Sequence, residues 1–358
     1  MNILIVGCGN AGSTMAADLS LKGHQVTMLR TSSALHNEHF AELSQTGKIT
    51  ISENGEDLIA RVTVTTDYQE AIKNKELIVL YIQTNFQETV IKNMSPYLED
   101  GQVILAEPGH LSTCYFKKYC QKDITIVEAE SSPIDCRITK PGCVNVLFRN
   151  TCNPVGVFPR SNVEKARKVL EQTGYPFCYI SNVVEAALHN PNLIVHTIGA
   201  IFSVPRIEYV QKHGGLYSMY REVFTPHVWN LVLALDEEKM NVLEKLGCER
   251  LSYVEACKQR NTLDTDMDAT EVFFDYANNS SPYGPDIPDS RYVMEDVPEG
   301  LVLLESLGSM LEVDTPVCSS LITCASALFK HDFRLEGRSI EKLGFQELKL
   351  IFEDCNIQ

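Results

Sequence analysis

The first twelve residues constrain the fold more than any other stretch of the chain. An apolar run, 2–6, leads directly into Gly-x-Gly-x-x-Gly, and a helix-like stretch, 13–22, follows. In such a unit the first glycine makes a tight turn, the second lets a pyrophosphate approach, and the third lets the helix pack on the strand. The helix N-terminus offers backbone N–H groups to phosphates. A turn of this shape without a ligand is the alternative. We predict a dinucleotide-binding loop formed by Gly7, Gly9, Asn10, Ala11 and Gly12.

The end of the next apolar run, 25–29, indicates which dinucleotide is bound. An acidic residue there accepts hydrogen bonds from the ribose of NAD, whereas an arginine accommodates the 2′-phosphate of NADP. This chain has Arg30-Thr31-Ser32-Ser33. A planar guanidinium suits both a phosphate and an adenine ring. We therefore predict NADP(H) in preference to NAD(H), with Arg30 and Ser32 as contacts; a solvated Arg30 without a ligand is the alternative.

Short apolar runs alternate with helix-like stretches through the first half of the chain. Most of these runs lack polar alternation, which is typical of strands buried on both faces of a parallel sheet. A turn at Glu53-Asn54-Gly55 predicts a hairpin beside this sheet. The runs predicted as strands are 2–6, 25–29, 62–65, 77–82, 102–105 and 124–128, with 144–148 and 155–158 as further strands that end the same sheet.

From about Asn182 the pattern changes to long helical periods. Asn190-Pro191 fits the start of a helix, with Asn190 as N-cap and Pro191 at the first helical position. A helix-poor segment, 278–290, contains three prolines, and long ordered loops often carry function. We place a dinucleotide-binding domain at 1–182 and a helical substrate and catalytic domain at 183–358.

Charge and composition disfavour several classes of function. The 358 residues carry a formal net charge of −16, which disfavours nucleic acid and anionic membranes as partners because phosphate contacts need Lys and Arg. The sequence has no uninterrupted apolar run of bilayer length and no basic N-terminal region, so we predict a cytoplasmic protein. The 12 cysteines form no Cys-x-x-Cys. We therefore predict reduced thiols and no metal site.

The second domain holds candidates for catalysis. A dehydrogenase that reduces a C=O or C=N bond needs an acid for the heteroatom and a fixed cation for a substrate carboxylate. Asn192 and His196 stand four residues apart and so share a helix face. A second cluster contains Arg291 and Asp296, ahead of Pro298, which suits the first turn of a helix. On spacing alone, a core histidine and a well-capped helix are favoured over a catalytic site as explanations of these residues.

The combined motifs resemble the opine dehydrogenase family, the octopine and nopaline dehydrogenase group that includes N-(1-D-carboxylethyl)-L-norvaline dehydrogenase. The resemblance spans nearly the whole chain. Many families share the glycine motif, but the order and spacing of the later motifs are specific. These motifs are Pro108-Gly109, Arg137, Asn192-x-x-x-His196, Arg291-Tyr292, Glu295-Asp296-Val297, Gly300-Leu301-Val302, Leu307-Gly308, Thr315-Pro316 and Asp332-Phe333-Arg334-x-Glu336-Gly337-Arg338.

The resemblance implies a fold and a reaction. The fold is an α/β N-terminal Rossmann-type dinucleotide-binding domain followed by an all-α domain of the 6-phosphogluconate dehydrogenase C-terminal type. In the family an amino acid condenses with a 2-oxo acid such as pyruvate, and a nicotinamide cofactor reduces the imine. The implied partners are therefore a small-molecule amino acid and a 2-oxo acid. Helical second domains of this layout also imply a homodimer.

The resemblance also implies roles for single residues. His196 would be the general acid/base, and Asp296 would hold its tautomer and stabilise the imidazolium. Arg291 would bind a substrate carboxylate, and Asn192 would orient the substrate or the nicotinamide. Thr225 falls at a substrate-contact position, although an N-cap at the start of a helix explains it equally well.

Two departures from the family pattern and two rival functions accompany this interpretation. Glu107 stands where a neutral residue is usual, and Glu130 lies in a stretch that is usually richer in threonine. Such carboxylates would suit a cationic amino-acid side chain. The rival enzyme is a simple 2-oxo acid or 2-hydroxy acid reductase of the ketopantoate reductase type, for which a catalytic lysine would be expected. The other rival is a non-catalytic NADP(H)-binding protein.

Overall fold

The chain separates into two units, Met1–Ala186 and Ala187–Gln358, in a computed structural model that describes residues 1–264 and 266–357. The predicted boundary after residue 182 coincides with the start of a helix, Val183–Leu188, and the units separate within that helix. Both sheets lie in the first unit. The described part of the second unit contains helices and one isolated β-bridge, between Ser218 and Gly284. The predicted succession of an α/β and an all-α domain is confirmed.

The main sheet has eight strands in the order β12-β11-β8-β7-β6-β1-β2-β5. Its paired strands are parallel except β8 and β11. Strands β6, β7 and β8 are buried throughout, as expected for runs without polar alternation. The strands are β1 Asn2–Val6, β2 Gln25–Leu29, β3 Lys48–Glu53, β4 Glu56–Arg61, β5 Thr63–Thr65, β6 Leu77–Leu80, β7 Val103–Ala106, β8 Thr125–Ala129, β9 Ile134–Lys140, β10 Cys143–Arg149, β11 Asn153–Phe158 and β12 Phe177–Tyr179.

A second sheet has the order β4-β3-β10-β9. The predicted hairpin joins β3 to β4, and Asn54 and Gly55 have φ of 52° and 83°, as a type I′ turn requires. The prediction that 144–148 belongs to the main sheet is wrong, because β10 pairs with β3 and β9. In β10, buried Val144 and Val146 flank the less buried Asn145, which is typical of a strand covered on one face only.

Seven helices accompany the sheets of the first unit, together with short 3-10 turns. Helix α1 begins within the glycine motif, at Asn10 rather than at the predicted Ser13, and the predicted strand-loop-helix unit is confirmed. The helices are α1 Asn10–Leu21, α2 Asn37–Thr46, α3 Tyr68–Ile72, α4 Gln87–Met94, α5 Ser112–Tyr119, α6 Val163–Leu170 and α7 Val183–Leu188, and the 3-10 turns are Thr84–Phe86, Ser95–Tyr97, Arg160–Asn162 and Glu171–Thr173.

The second unit is built from helices around the long helix α8. The predicted cap is displaced by one residue, because Pro191 is the N-cap of α8 and the helix begins at Asn192. The side-chain oxygen of Asn190 still accepts a hydrogen bond from the Asn192 N–H at 2.9 Å. A π-helix precedes α14. The helices are α8 Asn192–His213, α9 Met219–Glu222, α10 Pro226–Lys245, α11 Tyr253–Asn261, α12 Ala269–Asn279, α13 Arg291–Met294, the π-helix Val297–Leu301, α14 Val302–Met310, α15 Pro316–Phe329, α16 Phe333–Glu336, α17 Ile340–Leu343 and α18 Phe345–Cys355.

One helical stretch in the described residues, Val183–His213, has the length and apolar composition of a membrane span. Its most apolar window has a mean hydropathy of 1.3, and 61% of that window is buried inside the protein. A core helix of a globular protein has the same properties. The sequence alone did not reveal the stretch because Asn190, Pro191 and Asn192 interrupt its apolar residues.

The prediction of reduced thiols is wrong for Cys152 and Cys178, which form a disulfide with a Cα–Cα distance of 5.8 Å. Parallel pairing of β11 with β12 sets Pro154 opposite Cys178, and this pairing brings Cys152 within reach. The two residues are 26 positions apart, so their proximity depends on strand pairing rather than on a local motif. The other ten cysteines are not in a disulfide.

Candidate active site

The glycine loop has the geometry that its sequence predicts. Gly7 has φ of +115°, and a Cβ at this position would lie 2.3 Å from the Tyr81 carbonyl oxygen. A Cβ at Gly12 would lie 2.2 Å from the Gly7 carbonyl oxygen, so only glycine allows α1 to approach β1 this closely. At Gly9 the nearest atoms to a Cβ would be those of the His36 ring at 3.9 Å. The loop therefore leaves space at Gly9, where a pyrophosphate must approach the backbone.

The N-terminus of α1 suits a phosphate group. Gly9 is the N-cap, and no side-chain hydrogen bond caps this 12-residue helix. Asn10 and Ala11 begin the helix, and the Asn10 side-chain oxygen accepts a hydrogen bond from the Ile138 N–H at 2.7 Å. That side chain thus ties the loop to β9, which leaves the backbone as the part of Asn10 that suits a phosphate. The residues present fit a dinucleotide pyrophosphate.

The two residues predicted to select NADP lie together in the loop after β2. The Arg30 guanidinium lies 4.5 Å from the centre of the Phe40 ring. Its Nε donates to the Ser32 carbonyl at 2.7 Å, and its Nη2 donates to the Asn37 side-chain oxygen. The Ser32 hydroxyl accepts a hydrogen bond from the Ala34 N–H at 3.1 Å. Arg30 is therefore stacked and tethered at the carboxyl end of β2.

His196 and Asp296 form a close pair inside the second unit. His196 Nδ1 lies 2.8 Å from Asp296 Oδ2, and both residues are buried, with 5% and 3% of their surface exposed. The carboxylate accepts a hydrogen bond from Nδ1, so Nε2 carries the lone pair of the neutral ring. This is the geometry of an acid/base whose partner sets its tautomer. The structure thus brings together the two residues that the resemblance pairs.

Aromatic rings fix the plane of the His196 imidazole. The Tyr292 ring is stacked on it, with the ring centres 3.7 Å apart and the planes 14° apart. The plane of the Tyr220 ring makes an angle of 72° with the imidazole plane, and the two ring centres are 6.4 Å apart. Sequence reasoning quoted Tyr292 in a motif but assigned it no role, and it overlooked Tyr220. The adjacency of Tyr292 to the predicted carboxylate-binding arginine is the signal that could have identified it.

The other buried histidine of the second unit does not suit acid/base chemistry near neutral pH. Burial and the nearby positive charges of Lys239 and Arg260 lower the pKa of His189 to about 3. Such a ring stays neutral over the physiological range. His227, at the start of α10, is exposed. Among these candidates, His196 is the histidine with a buried carboxylate partner.

The three predicted substrate residues occupy different positions. Asn192 begins α8 one helical turn before His196 and is partly buried. Arg291 begins α13, is exposed, and is attracted electrostatically by Glu295 and Asp296. Thr225 is exposed at the N-cap position of α10, but its hydroxyl makes no capping bond. Asn192 thus lies on the same helix as His196, and Arg291 lies on α13, shortly before Asp296 in the chain. Thr225 lies at the start of a third element, α10.

Buried carboxyls lie at the carboxyl end of the main sheet. The Glu128 carboxylate accepts hydrogen bonds from the Leu111 and Thr113 N–H groups, each at 2.7 Å, and so holds the start of α5. Glu107 follows β7, and neither of its carboxyl oxygens has a hydrogen-bond partner of ordinary geometry. Burial raises the pKa of Glu107 to about 8, against a lowering effect of the nearby Tyr81 hydroxyl.

Two families match successive parts of the chain. Residues 2–109 match the N-terminus of NAD-dependent glycerol-3-phosphate dehydrogenase. Residues 179–329 match the alpha-helical domain of NAD/NADP octopine/nopaline dehydrogenase. The first match agrees with the glycine loop and its sheet, and the second includes both His196 and Asp296.

Relatives and solved structures match over nearly the full length. An opine dehydrogenase from Arthrobacter sp. (strain 1C) is 28% identical, over 96% of this chain and 95% of the relative. A structure of octopine dehydrogenase with NADH and L-arginine has a TM-score of 0.77 at 16% identity, over 99% of this chain and 98% of that one. Yersinopine dehydrogenase with NADP+ has a TM-score of 0.74 at 14% identity, over 100% and 99%. The fold is therefore the predicted two-domain type, and the chain is similar to opine dehydrogenases over nearly its full length.

Proposed function

We propose that the chain catalyses the NADP(H)-dependent reductive condensation of an amino acid with a 2-oxo acid such as pyruvate. Its similarity to opine dehydrogenases along nearly the whole chain supports an NAD(P)-dependent oxidoreductase that acts on CH–NH groups. The observation that carries the proposal is the buried contact of 2.8 Å between His196 Nδ1 and Asp296 Oδ2. A condensation of this kind moves protons at the ketone oxygen and at the departing water, and a positioned imidazole serves both transfers.

The residues of the second unit have complementary roles in this proposal. His196 gives a proton to the oxygen that leaves as water when the imine forms. Asp296 keeps Nδ1 protonated and stabilises the imidazolium between transfers. Arg291 binds a substrate carboxylate through its guanidinium, and Asn192 orients the substrate or the nicotinamide beside His196. Thr225 contributes a further substrate contact.

The glycine loop and the residues after β2 hold the cofactor in this proposal. The first-turn N–H groups of Asn10, Ala11 and Gly12 bind the pyrophosphate, and Gly7 and Gly9 let it approach. The bound nicotinamide supplies the hydride that reduces the imine. Arg30 and the Ser32 hydroxyl bind the 2′-phosphate, which favours NADP(H) over NAD(H). The absence of a carboxylate from residues 30–33 supports this preference.

A panel of amines and 2-oxo acids tests the reaction. We expect NADPH oxidation with pyruvate only when an amino acid is also present, because the reducible bond is the imine rather than the ketone. The measurement is the loss of NADPH absorbance, with and without each L-amino acid, together with mass detection of the secondary amine. Oxidation that ignores the amine would indicate the 2-oxo acid reductase. Tight NADPH binding without turnover for any pair would indicate the non-catalytic protein.

The cofactor preference is tested by Arg30→Asp. We expect this change to weaken NADPH binding by about 10–100-fold, because a charge-assisted hydrogen bond to a phosphate contributes about 1.5–3 kcal/mol. Binding of NADH should be retained or improved, since Asp can accept hydrogen bonds from the ribose hydroxyls. The measurement is kcat/KM with each cofactor, and Arg61→Asp on the exposed strand β4 is the control. Equal losses for NADPH and NADH would contradict the assignment.

We also propose that the protein is cytoplasmic and assembles as a homodimer. The acidic net charge of −16 supports a freely soluble protein, because net charge away from zero favours solubility. Light scattering coupled to size-exclusion chromatography measures the mass of the assembly directly. A mass of about 40 kDa, that of one chain, would contradict the homodimer.

A further inference from the structure

The carboxylate of the His196–Asp296 pair is attached to an unusual piece of backbone. Asp296 is the N-cap of the π-helix Val297–Leu301, in which all five residues are buried. A π-helical turn contains one more residue than an α-helical turn of the same rise, so it costs stability and is frequent at functional sites. The direction in which Asp296 points therefore depends on how this turn is held.

The π-helix packs directly against the helix that carries His196. A Cβ at Gly300 would lie 3.5 Å from both Cα and Cβ of Leu193, which precedes His196 by one turn of α8. Cys318 of α15 donates a hydrogen bond from Sγ to the Leu301 carbonyl at 3.1 Å. A shift of the π-helix would thus move Asp296 relative to the His196 ring.

An ion pair with both members buried also holds the π-helix. Glu299 lies in its middle, and Arg338 lies in the loop between α16 and α17, with 2% and 1% of their surface exposed. Arg338 Nε is 2.6 Å from Glu299 Oε2. Glu299 follows Asp296 by three residues. The pair therefore fixes the turn at a point close to the acid/base dyad but does not belong to it.

The backbone of the same loop makes a second attachment. The Arg338 N–H donates to the Pro298 carbonyl at 2.9 Å. At Gly337 a Cβ would lie 2.6 Å from that same carbonyl oxygen and 2.8 Å from Cβ of Val302, so a larger residue would push the loop away. The C-terminal motif 332–338 therefore docks on the π-helix through Gly337 and Arg338.

The cost of burying this pair argues for a role beyond stability. Desolvation of two charges cancels much of their attraction, and well-packed apolar residues often replace a buried ion pair without loss of stability. A close charge–charge contact on a π-helical turn gives something that apolar packing does not, namely an attachment at a defined point near the neighbouring carboxylate. We infer that Arg338 and Glu299 are positioning residues, which hold the π-helix so that Asp296 stays in hydrogen-bond contact with His196 Nδ1. The inference rests on the proposed function of that dyad.

The test separates positioning from general stabilisation by removing both charges together. The variant carrying Arg338→Met and Glu299→Leu removes both charges of the pair at once, so we expect it to fold with a thermal midpoint close to that of the parent. We expect its kcat to fall by about 10–100-fold, as for a small misplacement of a catalytic group. The KM for NADPH should not change. Arg338→Lys, which keeps the charge, should recover part of the rate.

Two further measurements distinguish a positioning role of the ion pair from a purely structural one. In a variant that already carries Asp296→Asn, loss of the ion pair should lower kcat no further, because both changes act on the same contact. In ¹⁵N NMR spectra, the signals of the His196 ring nitrogens are assigned by their loss in His196→Ala. The double variant should shift these signals. The shift should be in the direction that Asp296→Asn produces. Arg334→Met, in the same motif but paired with Glu305 at the surface, is the control and should change neither.

The outcomes are distinguishable from a failure of the proposed function. A folded double variant with parental His196 signals and parental kcat would overturn the positioning role. The positioning role would also be overturned if the loss of kcat in the double variant added in full to the loss caused by Asp296→Asn. If the parent enzyme reduces no imine, the proposed function fails, but the NMR comparison still decides whether the ion pair sets the His196–Asp296 contact.

Discussion

The replacement His196→Ala is expected to lower kcat by about 10²–10⁴-fold, the usual contribution of a positioned general acid or base. Its imidazole is buried, holds Asp296 at 2.8 Å and is stacked by Tyr292 at 3.7 Å. A ring so constrained is ready for proton transfer without reorganisation. The dissociation constant of NADPH should stay the same, because the glycine loop belongs to the other unit. Steady-state rates and fluorescence titration of NADPH measure the two quantities.

Two companion variants sharpen this prediction. Asp296→Asn keeps the shape of the partner but removes its charge, so the imidazolium loses its stabilisation and kcat should fall while the protein stays folded. His227→Ala removes an exposed histidine of the same unit and should leave kcat unchanged. A normal rate for His196→Ala would refute the catalytic assignment, as would an equal loss for both histidine variants.

The replacement Glu107→Gln is expected to stabilise the protein at alkaline pH. An unfolded glutamate has a pKa of 4.5, and burial raises the pKa of Glu107 to about 8. Between these values the native carboxyl keeps a proton that the unfolded one releases, so the free energy of unfolding falls as the pH rises. Above about pH 8 the loss is complete and amounts to about 5 kcal/mol at most. Glutamine has no proton to release and avoids this loss.

The measurement is the thermal midpoint of parent and variant from pH 4.5 to 9. The two curves should meet near pH 4.5 and separate progressively up to about pH 8, with the variant higher. Glu208→Gln, at an exposed position of α8, is the matched control and should follow the parent throughout. Curves for Glu107→Gln that run parallel to the parent would show that the carboxyl is not buried as a neutral acid.

The sequence was sufficient for the features whose cause is local. The strand-loop-helix unit at Gly7 to Gly12 follows from sterics within ten residues, and the hairpin follows from Asn54-Gly55. The second sheet was missed because β10 pairs with β3, about a hundred residues earlier along the chain. The Cys152–Cys178 disulfide was missed for a similar reason, since only the pairing of β11 with β12 brings the thiols together.

The same contrast between local patterns and long-range contacts applies to the candidate site. The spacing of Asn192 and His196 predicts a shared helix face, but no local pattern links His196 to Asp296, which lies 100 positions away. That pairing came from the family resemblance, and their catalytic roles stay a prediction. The stacked Tyr292 and the Arg338–Glu299 pair were not predicted, because a ring contact and a buried ion pair depend on tertiary packing that composition does not encode.

The location of both dyad members in Ala187–Gln358 has a consequence for the evolution of such enzymes. The groups proposed to move protons are inherited on one segment of the gene, whereas the residues proposed to choose between two dinucleotides are inherited on another. A recombination near Ala186 could therefore exchange the reductant while the proton donor, its tautomer and its aromatic support pass intact to the descendant. Selection could then change the dinucleotide without disturbing the proposed acid/base pair.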